Sequence, residues 1–237
     1  MWFDGHEQTL MSNEQEKKLA AARSMEFIRD GQVVGLGTGS TAAFFIELLG
    51  ARVMQGLRVR GIPTSERSRE MAAAQGIPLT SFDDVQTLDV TVDGTDEFDP
   101  QLRLIKGGGG ALLREKIVAS ASKKVVIVAD SSKRVSVLGK FPLPVEVVPF
   151  AQALVAEKIA GLGAKVVRRI DASGRIYATD SGNQILDCHF GQIADVEGLA
   201  RKLSDMPGIV EHGLFIGLAS VVLLAEGGKV VEMKRQA

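Results

Sequence analysis

The strongest constraint on the fold is a rhythm in the first 130 residues, where short apolar strands alternate with helical stretches. Val33–Leu36 runs into Gly37-Thr38-Gly39-Ser40-Thr41 and a helix over Ala42–Leu49, and Leu57–Ile62 precedes a helix over Ser65–Gln75. Leu88–Val92 ends at Asp93, and Leu102–Ile105 ends at Lys106, followed by Gly107–Gly110 and a helix over Ala111–Ser122. Lys124–Ala129 ends at Asp130. Upstream, Ser12 and Gln15 make a capping-box pattern that opens a helix to about Arg29. Near-continuous apolar strands separated by helices predict an α/β fold with a mostly parallel sheet covered on both faces. Ligands of such sheets bind beyond the carboxyl ends of the strands. Four loops follow strands here, at 37–41, 93–96, 106–110 and 130–133, so they converge on one site.

The pattern changes after Phe141-Pro142-Leu143-Pro144. Strands over Val145–Val148, Ala164–Arg169, Arg175–Thr179, Gln184–His189 and Ile209–His212, with helices over Ala151–Gly161 and Asp195–Leu203, predict a small α+β domain at 144–213. It is inserted before the last strands, Ser220–Leu224 and Lys229–Met233, so the main domain comprises 12–143 and 214–237. Residues 1–11 read as an N-terminal extension without the basic and apolar regions of a signal peptide.

Composition excludes several functions. The formal net charge is −1, which supplies no basic field for nucleic acid, and one Tyr and one Trp leave little for base stacking. No apolar run reaches membrane-spanning length. A single cysteine, Cys188, rules out an intrachain disulfide and fits a cytoplasmic location. It lies in an apolar strand beside no base and reads as a small buried hydrophobe. His6, His189 and His212 are scattered and form no site.

The chemistry sits in the loops. Gly37-Thr38-Gly39-Ser40-Thr41-Ala42 formally matches a dinucleotide fingerprint, but no acidic residue ends the second strand, and no Lys precedes Ser40 as a P-loop requires. Its glycines, hydroxyls and helix N-terminus suit a phosphate monoester; a helix cap with a tight turn needs the same residues. Asp93-Gly94-Thr95-Asp96-Glu97 is compatible with a solvated turn, a magnesium site or carboxylates that exchange protons with sugar hydroxyls. Lys106-Gly107-Gly108-Gly109-Gly110 places a cation and free amides at a helix start, where developing negative charge is stabilised. On that helix Glu115 neighbours Ala111, Val118, Ala119 and Ser122, so it is expected to be partly buried with a raised pKa, unlike Lys116 on the more polar flank.

Together with Gly139-Lys140-Phe141-Pro142-Leu143-Pro144-Val145-Glu146, these loops resemble, in order, ribose-5-phosphate isomerase type A from about Glu14 to the C-terminus. The resemblance implies interconversion of ribose 5-phosphate and ribulose 5-phosphate in the pentose phosphate pathway, without metal or other cofactor. It implies a Rossmann-like catalytic domain, a small ferredoxin-like α+β lid and a homodimer or higher homo-oligomer. Glu115 matches the catalytic proton acceptor. Thr38, Gly39, Ser40, Thr41, Asp93, Gly94, Thr95, Asp96, Lys106, Gly107, Gly108, Gly109 and Lys133 match substrate-binding positions. Asp93, with Asp96, is expected to open the sugar ring, Lys106 to stabilise the oxyanion, and Lys133 or Lys17 to assist the phosphate loop. Thr95 stands where Ala is common, and Gly109-Gly110 lengthens the usual glycine run.

Two other readings share the fold. A CoA-transferase also uses a Glu nucleophile, but this chain is short for one and its hydroxyl-rich loop suits a compact phosphate better. A sugar-phosphate-sensing regulator needs a DNA-binding module ahead of the sensor, and only one helix precedes Val33.

Overall fold

A computed structural model describes residues 11–235. The expected extension therefore lies, apart from Met11, outside the described residues, as does His6. Helix α1 (Asn13–Ser24) starts at the Ser12 capping box, in which Ser12 accepts from Gln15 N and Gln15 reaches back to Ser12 N. It ends before Arg29 because the chain tightens into a 3₁₀ turn over Met25–Phe27. Strand β1 (Val33–Leu36), helix α2 (Ser40–Met54), strand β2 (Arg60–Pro63) and helix α3 (Glu66–Ala74) follow. Next come β3 (Val90–Asp93), β4 (Glu97–Phe98), β5 (Leu104–Ile105), α4 (Leu112–Ser120) and β6 (Val125–Asp130). The expected strand over Leu102–Ile105 begins two residues late, because Leu102 takes φ 58° in a turn held by Asp99.

The second half holds β7 (Leu143–Val147), α5 (Gln152–Gly161), β8 (Lys165–Arg168), β9 (Gln184–His189), α6 (Val196–Ser204) and β10 (Ile209–His212). The chain closes with β11 (Leu214–Phe215), β12 (Val221–Glu226) and β13 (Lys229–Lys234).

The main sheet has the order β13-β12-β6-β3-β1-β2, parallel except for β13. Its strands alternate between two covered faces. Val126, Val128 and Leu223 pack with Ala20, Ala21, Phe45 and Leu49 of α1 and α2. Ile127, Ala129 and Leu224 pack with Ala119 of α4 and with Phe98, Leu104 and Phe215. The strand order reverses at β1, which leads to β2 on one side and β3 on the other, and this creates a crevice at the strand carboxyl ends. A three-stranded sheet, β11-β5-β4, lies against the α4 face.

From Leu143 to His212 the elements run β-α-β-β-α-β, and the sheet order is β10-β7-β9-β8 with every neighbouring pair antiparallel. That is the split βαβ, ferredoxin-like arrangement. Val145, Val147, Leu186 and Cys188 meet Val155 and Ile159 of α5 and Val196 and Leu203 of α6 in its core. Cys188 is fully buried there, and burial pushes its thiol up to about 12, so it behaves as a small hydrophobe. The strand expected over Arg175–Thr179 does not form; only an isolated Ile170–Ile176 bridge does. Asp171 caps a turn through Ser173 N and Arg175 N, and Tyr177 leaves the sheet to reach Gly109. Among the described residues no helix is long and apolar enough to cross a membrane.

Candidate active site

The crevice between β1 and β3 opens into a cleft. Thr38, Gly39, Ser40, Thr41, Gly94, Thr95, Asp96, Lys106, Gly107, Gly109, Glu115 and Lys133 line it, so residues far apart in the chain meet at one place. Glycine makes the approach of strands possible at two positions. A Cβ on Gly35 would stand 1.9 Å from Thr91 Oγ1, and one on Gly37 2.3 Å from Asp93 Oδ1. Asp93 therefore lies directly over the turn that opens α2.

At the base of the cleft one cation serves two carboxylates. Lys106 follows β5, its amide donating to Gly213 O at 2.9 Å. Its Nζ donates to Gly94 O at 2.7 Å and sits 3.0 Å from Asp93 Oδ2 and 3.2 Å from Glu115 Oε1. The ring of Phe215 lies 5.5 Å away. Burial works against the ammonium, but Asp93 and Glu115 outweigh it and hold its pKa above the ordinary lysine value. Lys106 is thus a fixed positive charge rather than a proton donor.

The carboxylates differ in support. Asp93 Oδ1 accepts from Thr38 N at 3.0 Å and Gly94 N at 2.7 Å, in addition to the ammonium on Oδ2. Among the described residues Glu115 has the ammonium alone, and its buried Oε2 has no hydrogen-bond partner. Burial first, then Asp93 and Asp96 against the opposing pull of Lys106, push the Glu115 carboxyl up to about 8. Burial also pushes Asp93 up, but its amides and Lys106 favour the charged form, so a proton shared by the pair resides on Glu115. A carboxyl with an unpartnered oxygen and a pKa near neutrality is suited to general base work.

Residues 60–229 match the sequence profile of ribose 5-phosphate isomerase A, also called phosphoriboisomerase A. The ribose-5-phosphate isomerase A of Parvibaculum lavamentivorans is 51% identical over 230 residues, covering 94% of this chain and 100% of that protein. This chain belongs to the ribose 5-phosphate isomerase A family. A solved D-ribose-5-phosphate isomerase in complex with phospho-erythronic acid superposes with a TM-score of 0.92 at 38% identity, covering 95% of this chain and 100% of the other. The ribose 5-phosphate isomerase A of Methanocaldococcus jannaschii gives 0.90 at 40% identity, over 94% and 100%.

Not every residue singled out in the sequence lines the cleft. Asp93 does not line the cleft; Thr38, Gly94 and Lys106 take its oxygens. Asp96 does line it, with Oδ2 held by Gly108 N at 2.7 Å, and the close approach requires a bare Gly108, whose Cβ would meet Asp96 Oδ1 at 2.6 Å. Gly108 itself is exposed but is not among the lining residues. The Thr38 hydroxyl turns away into a cluster with Thr64, Ser65 and Ser68 at 2.7, 2.8 and 3.2 Å. The Thr95 hydroxyl is spent on Glu97 O and Ile105 O. Ser40 and Thr41, at the N-terminus of α2, remain the hydroxyls facing the cleft loop. Lys133 lines the cleft on a 3₁₀ turn whose first amide, Ser131 N, is held by Glu16 of α1; Lys17 is not a lining residue.

Lys116 is more buried than its polar flank implied. Its Nζ donates to Glu211 Oε1 and His212 O, both at 2.6 Å, and lies over the Phe215 ring at 4.9 Å. The local sequence also gives no sign of Arg169 and Tyr177, which reach the glycine run from the small sheet. These contacts span more than 60 residues, and no spacing rule marks them. Among the described residues no group of three or more His, Cys, Asp or Glu is arranged to hold a metal ion.

Proposed function

We propose that this chain interconverts D-ribose 5-phosphate and D-ribulose 5-phosphate through an enediolate, as its family does in the non-oxidative pentose phosphate pathway. The observation that carries the residue assignments is the isolated Glu115 carboxyl facing the cleft beside a locked ammonium. The phosphate sits on the free amides at the start of α2, with the Ser40 and Thr41 hydroxyls and the Lys133 ammonium. Asp96, with one oxygen fixed by Gly108, moves the proton that opens the furanose ring, while Asp93 orients Lys106 from behind. Glu115 then takes the C2 proton. The C–H electron pair forms the C1–C2 double bond, and the former aldehyde oxygen carries the negative charge. Lys106 stabilises that charge electrostatically, and the free glycine-run amides do so by hydrogen bonding. The 2-hydroxyl proton passes to O1, Glu115 returns its proton to C1, and the ketose results.

The same reading divides the chain into a catalytic domain of 12–143 and 214–237 and a lid at 144–213, works without metal or cofactor in the cytoplasm, and pairs two copies into a homodimer. Turnover of ribose 5-phosphate in the presence of EDTA, beside Glu115→Gln, tests it. The wild type turns over. The variant loses about 10²- to 10⁴-fold in kcat with little change in KM, the range expected for a general base. Saturable binding of ribose 5-phosphate without turnover by the wild type would instead identify a sensor.

A further inference from the structure

The glycine run is held from outside the cleft by the small sheet. Arg169, just past β8, donates from Nη1 to Gly107 O at 2.8 Å and to Gly108 O at 3.2 Å. Asp187 on β9 locks the guanidinium, accepting from Nε at 2.9 Å and also from Nη2. Tyr177 stacks 5.8 Å from the guanidinium, and its hydroxyl sits where a Cβ on Gly110 would intrude at 2.2 Å. None of these three side chains lines the cleft.

A trans peptide points its C=O and the next N–H in opposite directions. With Gly107 O turned toward Arg169, the Gly108 N–H points the other way, and there it holds Asp96 Oδ2 at 2.7 Å. With Gly108 O turned the same way, the Gly109 N–H also faces away from Arg169. Gly109 lines the cleft, and among the described residues its amide donates to no protein acceptor. We propose that Arg169, locked by Asp187, is a positioning residue for the isomerisation, fixing two peptide planes so that Gly108 holds Asp96 and the Gly109 N–H meets the enediolate. The inference rests on the isomerase reading. It assigns the small sheet a part in rate rather than in substrate affinity, since the phosphate contacts lie on the opposite loop.

The test compares Arg169→Ala, Arg169→Lys and Asp187→Asn with wild type. Arg168→Ala, an exposed neighbour whose side chain bonds Gln152 alone among the described residues, serves as control. Misaiming a donor by a fraction of an ångström predicts a fall in kcat of about 10- to 100-fold for Arg169→Ala. KM for ribose 5-phosphate stays within about threefold, because uniform binding is untouched. A four-carbon aldonic acid phosphate, whose planar carboxylate mimics the enediolate, binds more weakly in proportion to the loss in kcat/KM. Arg169→Lys and Asp187→Asn fall between, guanidinium partly restores Arg169→Ala, and Arg168→Ala is unaffected. If Arg169→Ala does not fold, the same kcat-selective loss in Asp187→Asn carries the inference. Wild-type kcat in Arg169→Ala or Asp187→Asn, or equal weakening of substrate and mimic, overturns it while leaving the isomerase reading intact. An inactive wild type overturns both.

Discussion

Lys106 cannot neutralise two carboxylates at once, and the difference between Asp93 and Glu115 follows from how many other donors each receives. Asp93 has two amides; Glu115 has none and keeps a buried oxygen unpaired. This makes pH dependence predictable. With the Glu115 carboxyl pushed up to about 8, the base form grows as pH rises, so kcat/KM climbs from pH 6 to 9 with an acid-limb pKa near 8, measured by steady-state rates. Stability moves the opposite way. A carboxyl whose folded pKa lies above its unfolded value of about 4.5 stabilises the fold below that value and loses this contribution as pH rises through about 8. Glu115→Gln therefore gains thermal stability relative to wild type between pH 5 and pH 9, read as the difference in Tm. The burial of Glu115 was legible from its small helical neighbours. The turned-away Thr38 hydroxyl was not, because Thr64, Ser65 and Ser68 meet it only after β2 is laid beside β1.

At the scale of elements, strands β1, β9 and β10 stand at their expected bounds because apolar runs between breakers define them. Strands β4 and β11 were invisible. Each has two residues, too few for any periodicity, yet with β5 they hold Glu97, Lys106 and Phe215 in place. Glu97 pins the Gly139 and Phe141 amides at 2.8 and 2.5 Å, which explains an acid in the Asp93–Glu97 loop that never reaches the cleft. The glycines of β1 have a sharper consequence. Gly35→Ala drives a methyl into Thr91 and Val118 and is expected to cost about 1–3 kcal/mol by denaturant unfolding, the range for overpacking. Gly37→Ala meets Asp93 instead, displaces the partner of Lys106, and lowers kcat more than it lowers stability. Ser12→Ala removes the capping box and costs about 1 kcal/mol without touching kcat.

Across the whole molecule, two sheets with separate cores are joined at the site. The turn at 179–183 is tied to α3 and α4, with Asp180 Oδ2 accepting from Glu66 N at 2.8 Å and Arg114 bridging Glu66 Oε1 and Asp180 O. Glu146, buried in β7, holds the same turn through Thr179 and Asn183. The alternation of β and α in the sequence revealed both sheets, but not this stitching, since charge pairs between distant segments have no local signature. Exposed Phe150 just before α5, Leu154 on it, and Ile170 and Ile176 bridged beyond β8 leave apolar surface around the small sheet. Light scattering is expected to give the mass of two chains; a monomer at working concentration contradicts the homodimer. The central claim, that Glu115 carries a proton between C2 and C1, is tested most directly by isomerising unlabelled ribose 5-phosphate in D₂O and reading C1 of the ribulose 5-phosphate by NMR. The wild type places the hydrogen held by Glu115 at C1, as deuterium to the extent that the carboxyl exchanges with solvent during the enediolate's lifetime, and Glu115→Gln turns over and exchanges at least about 10²-fold more slowly. Turnover or exchange at the wild-type rate in Glu115→Gln contradicts the account.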